Sequence, residues 1–148
     1  MLIDYLPIFF VAILHFLLGM LWYSPALFGK AWMKEMKFSE ADMKKAQAKS
    51  MSGKLLTSFI SGLLMMFMLS YLMGFLFFFD VSPSIAEIFV GGSIIGFMIW
   101  LSFIAITLLG SVLWEGKSMK LYWINTGYYL VSFLVLGGLL AVGSNTAL

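Results

Sequence analysis

The sequence has no cysteine and no arginine, and only 11% of its 148 residues are charged. Without cysteine, the chain cannot form disulfides, thiolate metal sites or a cysteine nucleophile. Soluble domains have about a quarter charged residues, so this chain has less than half of the usual supply of solvating side chains. The shortage of charge excludes an ordinary soluble enzyme, a disordered chain and a free-standing nucleic-acid binder. An integral membrane protein remains.

Hydrophobic residues are abundant instead, at 62% of the chain, and they collect in four long runs. At 1.5 Å per residue each run forms a helix of roughly 28 to 40 Å, enough to cross a hydrocarbon core of about 30 Å. Helices are expected because lipid offers no partner for bare backbone groups. The sequence therefore predicts an all-α integral membrane protein that forms a single domain over residues 1–148. The predicted spans are 5–23, 55–79, 88–114 and 121–142.

The nine lysines all fall on one side of this four-span arrangement. Seven lie in the polar segment 25–54 and two in the turn 115–120, whereas both termini and the turn near residue 80 hold none. Lysine-rich loops favour the cytoplasmic side of a membrane. We therefore expect a protein of the cell (inner) membrane with both segments in the cytoplasm and both termini outside. A net charge of only +2 gives no indication of a nucleic-acid partner.

The segment between the first two spans contains a predicted short helix. Pro25 ends the first span, and after it two faces alternate at helical spacing: Phe28, Trp32, Met33 and Met36 against Lys30, Lys34 and Lys37. This pattern is typical of a helix that lies in the membrane interface, and the lysines suit an anionic lipid surface. A second helix is predicted from Glu40 to about Ser50. The alternative is a solvated loop that only sets the topology.

Several sequence blocks resemble a known family. The first is Gly19 followed by WYSPALFGKAW (Trp22 to Trp32), and the later ones cover Gly96 to Thr107, Leu113 to Lys117 and Ile124 to Tyr128. They resemble the signature of domain of unknown function 1761, a family of small membrane proteins, and the resemblance spans nearly the whole chain. The resemblance implies a four-helix membrane protein, and it supplies no activity, substrate or catalytic residue.

Polar side chains inside the predicted spans are costly in lipid and often mark function. The single histidine, His15, lies seven residues before Trp22. In the other spans Ser61, Thr107 and Tyr129 reach a similar depth, about 10 Å from the cytoplasmic interface. We expect these four residues to form an intramembrane polar layer. The alternative is hydrogen bonding that only holds the bundle together, at about 0.6 kcal/mol per contact.

Four of the five tryptophans lie at or near the cytoplasmic ends of the predicted spans. Interfacial anchoring explains such a bias, and so does a structured site. Glu115 closes the third span against the helix dipole, which calls for a partner such as Lys30 or a tryptophan or tyrosine donor. Aromatic walls with a few polar groups are typical of a small-ligand pocket, and a lysine–tryptophan rim suits a phosphate headgroup. The predicted ligand-binding set is Trp22, Tyr23, Ser24, Lys30, Trp32, Trp114, Glu115, Lys117, Tyr122 and Asn125.

Gly62, Gly92 and Gly96 are predicted helix-packing residues, within the chain or in a homodimer, because small residues allow close backbone approach. The sequence shows no nucleophile–base pair and no metal-ligand cluster, so we expect neither an enzyme nor a cofactor. Two functions remain. One is a binding or transport protein whose cytoplasmic-interface site takes a lipid headgroup or small amphiphile, with membrane lipid as the partner. The other is a structural or accessory subunit that acts through helix–helix contacts without a ligand.

Overall fold

The computed structural model describes residues 5–38, 41–42, 52–76 and 84–145. This part of the chain is helical apart from its turns, and it contains four helices long and apolar enough to cross a membrane by length and composition. The predicted all-α membrane fold is thereby confirmed. The predicted helix over residues 40–50 lies outside the described residues, apart from 41–42.

The four long helices are called spans 1 to 4 below. Span 1 is Tyr5–Trp22 and span 2 is Ser52–Leu76. Span 3 consists of Ile85–Ile99, a π-helical stretch Trp100–Ala105 and Ile106–Leu113, and span 4 consists of Met119–Val131, a π-helical stretch Ser132–Leu136 and Gly137–Asn145. A short helix, Gly29–Glu35, follows the turn after span 1.

Spans 3 and 4 begin slightly before the predicted boundaries because each is capped by a serine. The Ser84 hydroxyl accepts a hydrogen bond from the Glu87 backbone N–H, and the Glu87 carboxylate accepts one from the Ser84 N–H at 2.7 Å. The Ser118 hydroxyl accepts from the Leu121 N–H at 3.1 Å. These caps satisfy backbone donors that the first helical turn leaves without partners. Local polar residues therefore decide where these two apolar helices begin.

Span 4 occupies the centre of the bundle. Half of its membrane-spanning window is buried, against 22% for each of the other three spans. The core lies around it and takes residues from every span, among them Ala12, Met66, Trp100 and Leu140. Span 1 runs antiparallel to it, because Pro7 lies beside Gly143 at one end and Trp22 bonds to Ile124 at the other.

Spans 3 and 4 approach each other closely through glycine. A Cβ atom on Gly92 would lie 2.6 Å from both the Ala141 Cβ and the Gly137 carbonyl oxygen. A Cβ on Gly96 would collide with the carbonyl oxygen of Phe133. The small-residue face at Gly92 and Gly96 is therefore occupied by span 4 of the same chain. Of the two predicted packing roles of these glycines, within the chain or in a homodimer, this contact is the one within the chain.

Side-chain hydrogen bonds also join the π-helical stretch of span 3 to span 4. The Trp100 indole N–H donates to the Thr126 carbonyl at 2.8 Å, and the Tyr122 hydroxyl donates to the Ala105 carbonyl at 3.2 Å. The Thr126 hydroxyl bonds in turn to the Tyr122 carbonyl at 2.8 Å within span 4. Bonds of this kind link spans because no solvent competes for the same groups.

Substitution of Gly96 by alanine should destabilise the bundle, because the added methyl group meets backbone rather than a side chain that can rotate. We expect a loss of at least about 1–3 kcal/mol, the usual cost of overpacking, measured as a lower Tm in detergent. Gly53→Ala is the matched control, since a Cβ there meets nothing within 4 Å. An unchanged Tm for Gly96→Ala would contradict the close approach of spans 3 and 4.

Candidate functional site

A cavity of about 690 Å³ lies between spans 1, 2 and 4. Met20, Ser58 and Ser61 line it and are exposed, so the cavity is a groove that opens between spans 1 and 2. Its apolar lining includes Phe16, Leu55 and Met65. Its polar lining is concentrated in seven side chains: His15, Tyr23, Thr57, Ser58, Ser61, Tyr128 and Tyr129.

A histidine–tyrosine pair forms the inner wall of the groove. The Tyr128 hydroxyl lies 2.9 Å from His15 Nε2 and 3.2 Å from the His15 carbonyl oxygen. Only 7% of the surface of His15 is exposed. The direction of the Tyr128–His15 bond depends on the tautomer of the histidine: when Nε2 carries the proton, the imidazole donates to the hydroxyl oxygen and the hydroxyl donates to the carbonyl. The pair thus joins span 1 to span 4 at the inner wall of the groove.

Three glycines let the aromatic rings of the groove lie directly against neighbouring helices. A Cβ on Gly62 would come within 2.9 Å of the His15 ring, and one on Gly19 within 3.1 Å of the Tyr128 hydroxyl oxygen. Likewise, a Cβ on Gly127 would come within 3.2 Å of the Trp22 ring. The predicted packing role of Gly62 thus has a specific partner in the structure, the single histidine.

An aromatic turn lies beside the groove where span 1 ends. The Trp22 indole N–H donates to the Ile124 carbonyl at 2.9 Å, and the Tyr23 hydroxyl donates to Asn125 Oδ1 at 3.3 Å. The Tyr23 ring also packs edge-on against the ring of Trp32, with 5.8 Å between centroids. The turn therefore ties span 1, the short helix and span 4 to one another.

Two further features belong to this turn, a buried hydroxyl and a required glycine. The Ser24 hydroxyl oxygen is buried and finds no hydrogen-bond partner among the described residues. Gly29 begins the short helix where any Cβ would collide with the backbone carbonyl of Tyr23, so the turn requires glycine there.

A clasp formed by Glu35 fastens the short helix to the start of span 4. The Ser118 hydroxyl donates to Glu35 Oε2 at 2.6 Å, and the Lys120 ammonium lies 3.7 Å from Glu35 Oε1. The Ser118 hydrogen bond and the nearby lysine hold the pKa of the Glu35 carboxyl below its ordinary value. Since Ser118 also caps span 4, one hydroxyl serves both contacts.

The structure brings together part of the predicted ligand-binding set. Trp22, Tyr23, Trp32 and Asn125 meet at the aromatic turn, and Ser24 lies within it. Tyr122 is buried but bonds towards span 3.

The other predicted members take no part in these contacts. Lys30, Glu115 and Lys117 are exposed, and Trp114 is 88% exposed. No other side chain in the described ranges pairs with the Glu115 carboxylate, so Lys30 does not serve as its partner. The acid that does link two segments at this end is Glu35.

Three members of the predicted polar layer, His15, Ser61 and Tyr129, line the groove, whereas Thr107 is exposed elsewhere on span 3. The π-helical stretch Trp100–Ala105 explains the position of Thr107. A π turn holds one more residue than an α turn, which rotates everything after it by roughly 100°. Trp100 therefore faces the core while Thr107, seven residues later, does not.

The sequence-based prediction missed two important side chains, Tyr128 and Glu35. Tyr128 was missed because the predicted polar layer takes its neighbour Tyr129 as the fourth-span residue at the depth of His15. A helix at the centre of a bundle has partners on several sides, and the low hydropathy of span 4, at 1.7 against 1.9 to 2.2 for the others, was the available signal. Glu35 carried no signal beyond its place on the predicted short helix.

Loss of the Glu35 charge should loosen the clasp. Glu35→Gln is expected to lower the Tm at neutral pH, with Glu115→Gln as the control because Glu115 is exposed and unpaired among the described residues. The folded-state pKa of Glu35 is lowered, so its contribution is fully present above the ordinary glutamate pKa and is lost as the pH falls through the lowered value. The Tm difference between wild type and Glu35→Gln should therefore vanish in acid. A difference that persists there would contradict the clasp.

Comparison with known proteins identifies a family and no activity. No curated protein and no solved structure matches the chain. Within the described residues, no group of three or more histidine, cysteine, aspartate or glutamate side chains could hold a metal ion. One family model, "Protein of unknown function (DUF1761)", matches residues 6–141 and so covers nearly the whole bundle and the groove. The chain therefore belongs to the DUF1761 family of proteins of unknown function.

Proposed function

We propose that this protein is a membrane-embedded binding protein that takes the polar end of a lipid or other small amphiphile into the groove between spans 1, 2 and 4. The observation that carries the proposal is the groove itself, a cavity of about 690 Å³ with both an apolar and a polar lining. Ligand sites commonly have volumes of about 300–1,000 Å³ and combine a mainly apolar lining with a few polar groups.

The position of the polar groups supports binding over simple helix adhesion. Ser58 and Ser61 are exposed at the groove, and neither hydroxyl is bonded to another described residue. Polar side chains that only hold helices together would lie between the helices with their bonds made, as Thr126 does. Groups left open towards lipid suit a ligand that supplies the missing partner.

The positions of the lysines support the proposed orientation of the protein in the membrane. Six lysines lie in the described residues, and all of them flank the same end of the bundle: Lys30, Lys34, Lys37, Lys54, Lys117 and Lys120. Leu55 and Tyr23 line the groove at this end. With the lysine-rich end in the cytoplasm, the groove opens to the inner leaflet, where each lysine near an anionic surface adds about 1 kcal/mol of attraction.

Filling the groove should remove the bound lipid. In Ser61→Phe the new ring occupies the cavity, so we expect about tenfold less co-purified lipid, equivalent to about 1.4 kcal/mol, by native mass spectrometry from membranes. Ser102→Phe is the matched control, because Ser102 is an exposed serine of span 3 that does not line the groove. Equal lipid retention by wild type, Ser61→Phe and Ser102→Phe would refute the proposed site.

The orientation has its own test, and the natural absence of cysteine makes it simple. Single cysteines at Gln47 and Lys117 should resist a membrane-impermeant thiol reagent added to intact cells, because these positions face the cytoplasm. Cysteines at Ser82 and Thr146 should react. Labelling of Gln47→Cys from outside would overturn the orientation.

A further inference from the structure

We infer that the ligand head held in the groove is uncharged and carries alcohol or carbonyl oxygens, as in an acylglycerol. This inference rests on the proposed function and narrows it to one chemical class. It differs from the anionic headgroup that the lysine-rich end of the chain suggests.

The first argument is the absence of charge in the lining. The thirteen described residues that line the groove include no aspartate, glutamate or lysine, and the chain has no arginine. An ion transferred from the interface to a site without a counter-charge loses its hydration and gains no partner. A phosphate, a carboxylate or an ammonium head is therefore disfavoured at the level of His15 and Ser61.

The second argument is the kind of hydrogen bonding that the wall offers. The hydroxyls of Ser58, Ser61 and Tyr129 make no hydrogen bond within the described part of the chain, and a hydroxyl both donates and accepts. His15 and Tyr128 are bonded to each other and line the same cavity. Such a wall matches an alcohol head, which both donates and accepts hydrogen bonds. It also matches an ester carbonyl, which accepts hydrogen bonds from the hydroxyls of the wall.

The third argument is the order of polar and apolar residues along the groove. On span 2 the lining runs from Leu55 past Ser58 and Ser61 to Met65. Ten residues of helix cover about 15 Å, so the serines lie between the lysine-bearing mouth and an apolar inner end. An amphiphile from the inner leaflet enters this gradient with its head beside the serines and its chain beside Met65.

The six described lysines lie outside this hydrogen-bonding wall. Lys54 precedes Leu55 at the mouth and is exposed. Lys120 lies 3.7 Å from the Glu35 carboxylate. Charge at the mouth can attract the protein to an anionic leaflet while the uncharged wall selects the head that enters.

Probes with one chain and different heads test the inference. The full-length protein is placed in phosphatidylcholine nanodiscs that contain equal mole fractions of oleyl alcohol, monooleoylglycerol, oleyl sulfate and oleyl trimethylammonium. Native mass spectrometry then measures which probes remain bound after release from the disc. We expect the two uncharged probes to be retained at least about tenfold more than the two charged ones, and Ser61→Phe to retain none of them.

A charge placed in the wall should reverse the selection. Ser61→Lys puts a cation in the groove and should retain oleyl sulfate in preference to oleyl alcohol, whereas Ser102→Lys, outside the groove, should behave as wild type. Ser58→Lys is the second variant if Ser61→Lys does not fold.

The outcomes separate the two proposals. If wild type retains oleyl sulfate or oleyl trimethylammonium as well as the uncharged probes and Ser61→Phe removes them, the inference fails and the proposed binding function stands. If wild type retains no probe above the level of Ser61→Phe, both fail.

Discussion

A single constraint organises this bundle: in lipid, a polar group finds its hydrogen-bond partner only within the protein. Span 4 has the lowest mean hydropathy of the four spans, 1.7, and is also the most buried. Its central position lets Tyr122 and Thr126 bond with span 3 while Tyr128 bonds with span 1. The other three spans surround it because most of their side chains are apolar enough to face lipid.

Contacts between rings and glycines convert this arrangement into a groove. Tyr128 lies against Gly19 and Trp22 against Gly127, so span 1 is held close to span 4. His15 lies against Gly62, which holds span 2 at the distance of an imidazole ring. Towards the lysine-bearing end the serines of span 2 are left open to the space between the helices. The proposed binding site thus forms because contacts between rings and glycines hold span 1 close to span 4 and span 2 close to His15, whereas the serines of span 2 are left open.

Much of the candidate site could be predicted because it depends on residues close together in sequence or at equal depth. Trp22, Tyr23 and Asn125 were predicted to meet since their spans end at one level, and the structure joins them. Glu115 was chosen as the acid of the site from its place at a helix end. Glu35 makes the contact instead, because the direction in which the short helix folds back decides which acid reaches span 4.

The sequence by itself determined the four spans and the end of the bundle at which the lysines collect. Hydropathy and the number of spans between two loops can both be read along the chain. It also held the signal for the central helix in the low hydropathy of span 4. Only the tertiary structure decided which faces meet. The π-helical stretch of span 3 rotates Thr107 off the helix face that carries Trp100, and Tyr128 rather than its neighbour Tyr129 pairs with His15. Both outcomes depend on how each helix is rotated about its own axis. Packing between helices sets that rotation, and the periodicity of a single helix does not.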